Sequence, residues 1–108
     1  MTDFMQHTAP VTRHAGKRMQ QRAIQRADIG LVLAFGDLVK AVGDGTDAVS
    51  ITRDAAAALV TEGYVQRGTE ARRSRVTVLI TRDTGAVRTV LWRRGRGGRR
   101  YTRGATVH

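Results

Sequence analysis

Cysteine is absent from this sequence. Its absence excludes a disulfide framework and thiolate chemistry, and it fits a reducing cytoplasm. Aromatic residues are scarce, at 5 % of the chain: Phe4, Phe35, Tyr64, Trp92 and Tyr101. A core must therefore rest on Val, Ile, Leu and Ala. No apolar run approaches the roughly 20 residues of a membrane span, so no membrane partner is expected. The opening Met-Thr-Asp-Phe-Met-Gln-His lacks the basic-then-apolar pattern of a secretory signal, and the expected location is cytoplasmic. His7, His14 and His108 are the only histidines. No pair of them has helical ligand spacing with a nearby acid, so no metal site is expected. Gly43-Asp44-Gly45 lacks the Lys of a phosphate loop, and Gly95-Arg96-Gly97-Gly98 precedes no apolar helix. The sequence thus calls for no cofactor.

What is present in excess is positive charge, +10 over 108 residues. Residues 1–62 carry seven basic and seven acidic side chains, so they are neutral. Residues 63–108 carry twelve Arg and two acids, so the excess lies there. A one-sided positive field implies an anionic partner: nucleic acid first, then an acidic protein, then an anionic membrane surface. Arg outnumbers Lys 17 to 2. Arg suits bidentate contact with phosphate, although a GC-rich genome enriches it without any binding role.

The length suits one domain. Residues 1–11 read as an N-terminal arm, because Pro10 discourages helix before it. Residues 12–94 read as a single domain, and residues 95–108 as a basic Gly/Arg-rich tail. Thr12 is an N-cap for a first helix that turns near Ala23 and Ile24. A second helix places Ile29, Val32 and Leu33 on one face, thickened by Leu31 and Phe35, and Gly36 reads as its stop. Asp28 sits where the helix dipole favours a negative charge. Residues 37–42 and 47–52 read as strands around the turn cluster Gly43-Asp44-Gly45-Thr46. Residues 54–62 read as a third helix, and 64–75 as a polar loop or an extension of it. Residues 75–81 and 86–92 read as a hairpin, apolar on both faces and therefore central in the sheet. The predicted fold is α+β: two N-terminal helices and a third packed on an antiparallel sheet of about four strands.

Two groups of residues carry candidate chemistry. His14, Arg18 and Arg22 recur every four residues and form one stripe along the first helix. Ala15, Met19 and Ala23 form a small apolar stripe beside it. Metal-free RNA cleavage needs a base for the 2′-OH, an acid for the leaving 5′-oxygen and cations for the crowded phosphate. His14 can be acid or base, Arg18 and Arg22 can hold the phosphate, and Arg94 and Tyr101 can join from the C-terminal end. The stripe can equally be structural, with Arg18 and Arg22 paired to Asp28 or Asp37. The second group is basic: Arg72, Arg73, Arg75, Arg93, Arg94, Arg96, Arg99, Arg100 and Arg103, with Tyr101 as a stacking face. It is suited to nucleic acid by charge and stacking, or serves only to solubilise.

At His14-Ala15, Arg18-Met19, Arg22 and Ile24, followed by Ile29, Leu33 and Gly36, the sequence resembles a family of small bacterial domains. Its members open with a His-Ala-x-x-Arg-Met-x-x-Arg-Gly-Ile pattern and resemble the RelE/ParE-like and BrnT-type toxins. The resemblance spans roughly residues 12–94, with Val78 to Trp92 as the closing hairpin. Ala23 stands where the family usually has Gly; if that position needs φ > 0, Ala costs about 1 kcal/mol. The resemblance implies a RelE/ParE-like fold and a toxin-like basic domain, with RNA cleavage as one activity. A non-catalytic nucleic-acid-binding module and an interaction domain for an acidic, antitoxin-like protein are the alternatives.

Overall fold

In the computed structural model, residues 10–93, 101, 102 and 104–107 are described. Helix α1 spans Arg13–Arg22 and α2 spans Arg26–Phe35. Strands β1 (Leu38–Gly43) and β2 (Thr46–Ser50) follow, then helices α3 (Arg53–Thr61) and the single turn α4 (Glu70–Arg73). Strands β3 (Val76–Thr81), β4 (Val87–Trp92) and the two-residue β5 (Thr106–Val107) complete the order. The fold is α+β, with the strands antiparallel in the order β4-β3-β2-β1-β5.

Local chemistry accounts for the helix ends. Thr12 Oγ1 accepts from the Ala15 N–H at 3.1 Å, and Thr52 Oγ1 accepts from Ala55 in the same way. Asp37 in turn holds Thr52, accepting from its N–H and its hydroxyl. Helix α1 ends in a left-handed residue, Ala23 at φ 52°, with Ile24 N–H bonded to Met19 O and Ala23 N–H to Gln20 O. Helix α3 closes with the same pair of bonds around Gly63 at φ 85°. Gly36 ends α2 for a different reason from the one read in the sequence. Its φ is −59°, open to any residue, but a Cβ there would lie 2.4 Å from Val32 O and 2.6 Å from Val49 Cγ1.

The core lies between the helices and one face of the sheet. Val49, Val78 and Val90 form a rung across β2, β3 and β4, and all three are buried with Ile29, Val32, Ile51 and Leu59. Helix α1 packs on β4, and α2 on β3 and β2.

Three sequence expectations need correction. The hairpin 75–92 is not wholly central: β3 is interior, but β4 is an edge strand. It tolerates that place because its outer edge is already bonded. Val87 N–H donates to Pro10 O at 2.7 Å, Thr12 N–H to Val87 O at 3.0 Å and Arg22 Nη1 to Val90 O at 2.8 Å. Next, the stretch 64–75 contains α4, which is fixed by pairing rather than propensity. Asp28, 1 % exposed, closes a capping box at the start of α2 and forms ion pairs with both Arg72 and Arg73. Finally, these partners of Asp28 displace Arg18 and Arg22, while Asp37 bonds Thr52 instead.

Candidate functional site

The His14–Arg18–Arg22 stripe divides into three roles. Thr12 starts α1 beside β4, and Ala15, fully buried, fixes the rotation of its first turn. His14 is thereby exposed at the sheet edge. Arg18 lies one turn on, donating from Nε to His14 Nε2 at 3.4 Å and from Nη1 to Gln21 Oε1 at 3.1 Å. Arg22 turns away to β4, where its guanidinium holds Val90 O. Its own carbonyl accepts from Trp92 Nε1 at 2.6 Å, so Arg22 clamps α1 to the strand.

His14 opens onto a cleft of about 280 Å³ on the sheet face away from the helices. Asp44, Thr46, Arg88, Thr89 and Tyr101 contribute the other polar groups, and Val42 and Leu79 supply apolar lining. Arg88 and Thr89 are consecutive in β4 yet both line this cleft. In a regular strand they would point to opposite faces. The ladder explains the exception: Leu79 pairs with Thr89 and Ile80 with Val87, so Arg88 is an extra residue in a bulge. Bulges re-aim side chains in this way. Arg88 Nη1 then donates to Thr46 Oγ1 at 2.6 Å, spanning from β4 to β2. Asp44 reaches the rim through a two-residue turn in which it and Gly45 have φ of 54° and 66°, the type I′ pattern. Beneath the cleft the same sheet face is closed, since Ala48, Ser50 and Thr77 are buried and the two hydroxyls bond at 2.8 Å.

No family model, no curated protein and no solved structure matches this chain.

The basic group is less free than its composition suggests. Arg73 pairs with buried Asp28, and Arg93 donates to Ser74 O. Burial pushes both guanidiniums below their ordinary pKa, the sign of cations held inside rather than offered to phosphate. Arg72 lies 5.0 Å over the Trp92 ring while bonding Ala23 O at 3.4 Å. Arg75 is exposed. Arg94, Arg96, Arg99, Arg100 and Arg103 lie outside the described residues, whereas Tyr101 lines the cleft.

Sequence reasoning missed Arg88, Asp44 and Thr46. A signal for Arg88 exists: Val87 and Val90 are apolar with two polar residues between them, a broken alternation. Among the described residues, no group of three or more His, Asp or Glu side chains could hold a metal ion. No helix among them is long and apolar enough to cross a membrane.

Proposed function

We propose that this chain is a toxin-like basic domain that binds RNA in the His14 cleft and cleaves it there. One observation carries the reading: His14, Arg88 and Tyr101, from distant parts of the sequence, line one cleft. A histidine, a guanidinium and a phenol are a sufficient set for metal-free transesterification. An imidazole nitrogen of His14 takes the 2′-OH proton, and the 2′-oxygen attacks phosphorus. Arg88 stabilises the added negative charge. The bond from phosphorus to the 5′-oxygen breaks, and the Tyr101 phenol donates a proton to that oxygen. A 2′,3′-cyclic phosphate and a 5′-hydroxyl result. The resemblance to RelE/ParE-like and BrnT-type toxins, on the His14–Ile24 motif, supports the same reading.

The positive charge of residues 63–108 favours a second reading, a non-catalytic RNA-binding module. Induced expression with growth as the readout, joined to RNA cleavage by the purified chain, separates the two. Wild type should arrest growth and cut RNA. His14→Ala should do neither, while keeping its melting temperature and its RNA affinity. A wild type that binds RNA without cutting it leaves only the module, and absence of both binding and cleavage refutes both readings.

A further inference from the structure

The cleft has one acidic residue among its described lining, Asp44. Beside His14 and Arg88 a carboxylate weakens the hold on phosphate, so phosphate binding does not account for it. Neither does an ion pair: among the described residues, Asp44 has a hydrogen bond only at its main-chain carbonyl, from Thr46 Oγ1. The side chain is exposed at the rim, with its Cα–Cβ direction set by the type I′ turn.

A carboxylate accepts hydrogen bonds and donates none. Its two oxygens match a ligand edge with two adjacent donors. Among the RNA bases only guanine offers that on its Watson–Crick edge, through N1–H and the N2 amine. Adenine and cytosine each set one amine beside an acceptor, and uracil sets one N–H between two carbonyls. Tyr101, in the same cleft, gives a face on which a base can stack. At about 280 Å³ the cleft has room for a single nucleotide. We infer that the cleft selects guanine and that Asp44 is the residue that reads it. The inference rests on the RNA reading given above and names the base that site takes.

Asp is also a common residue in such turns, so the test must separate turn formation from recognition. Asparagine and glycine both suit the first position of a type I′ turn. Asp44→Asn and Asp44→Gly should therefore fold as the parent does. The probes are the 3′-monophosphates of guanosine, inosine and adenosine, titrated into the full chain at equilibrium. Inosine differs from guanosine only in lacking the N2 amine.

Wild type should bind the guanosine nucleotide about tenfold more tightly than the inosine one, the discrimination expected of a bidentate contact. Asp44→Gly should lose that margin and keep the weaker, phosphate-driven affinity. Asp44→Asn should shift preference toward adenosine, because an amide offers one donor and one acceptor. Equal affinity of wild type for all three nucleotides overturns the guanine inference and leaves the RNA reading standing. So does an unchanged preference in Asp44→Gly, or loss of cleavage in Asp44→Asn with base preference intact. If none of the three binds to wild type, the RNA reading fails and takes the inference with it.

Discussion

Exchanging Ala23 for glycine should stabilise the protein. Helices α1 and α3 end in the same motif, in which a 6→1 and a 5→2 backbone bond enclose one left-handed residue. In α3 that residue is Gly63 at φ 85°, and in α1 it is Ala23 at φ 52°, ψ 39°. For an L-residue the left-handed region costs roughly 1–2 kcal/mol, because Cβ crowds the following carbonyl. Glycine escapes that strain but has more freedom to lose from the unfolded chain, an offset of about 0.4–1 kcal/mol. Ala23 is exposed, so its methyl group contributes little burial in return. The net gain for Ala23→Gly is then about 0.5–1 kcal/mol. For a domain near this size, 1 kcal/mol moves Tm by about 4–8 °C. Thermal melts followed by circular dichroism should show the rise, and the urea midpoint should climb at constant slope. The reciprocal change, Gly63→Ala, should lower Tm by a similar amount. A fall in Tm for Ala23→Gly would refute the strain argument, as would a gain in stability for Gly63→Ala.

Three further changes probe helices α1 and α2. Arg22→Ala removes a charged hydrogen bond to Val90 O and should destabilise by about 1.5 kcal/mol. Arg18→Ala, on a half-buried side chain bonded only within its own helix, should stay within about 0.5 kcal/mol of the parent in a denaturant titration. Asp28→Ala strips two guanidiniums of their counter-charge and opens the α2 cap, so a loss of about 3–5 kcal/mol is expected. Amide exchange should then quicken through α4 and the start of α2 before it does in β3.

The Thr12 cap, the β1–β2 turn and the strand alternation were legible because each is a local matter. Thr12 bonds within three residues, and Asp44-Gly45 sets its turn from its own dihedrals. Thr52, read as the end of a strand, caps α3 by the same kind of bond. Asp28 was placed correctly at the start of α2, but its two partners lie 44 and 45 residues further on, beyond any local pattern. Arg72, Arg73 and Arg93 could not be told from solvated cations by composition. Their roles depend on Trp92, Asp28 and Ser74 O, which tertiary packing brings close. In the cleft, His14 and Tyr101 stood out by residue type. Arg88 did not, because strict alternation assigns it to the opposite face from Thr89.

The bulge in β4 also has a genetic meaning. Without Arg88 the strand would read Val87-Thr89-Val90, a regular alternation with both valines still turned to the core. In-frame loss of that one codon should leave an even ladder that melts no lower than the parent but has no guanidinium over the cleft. Thermal melts and nucleotide titration of the deletion variant would check both halves of that statement. Reading frames of this domain that differ by one residue in β4 would then share a fold and differ in whether they hold an anion.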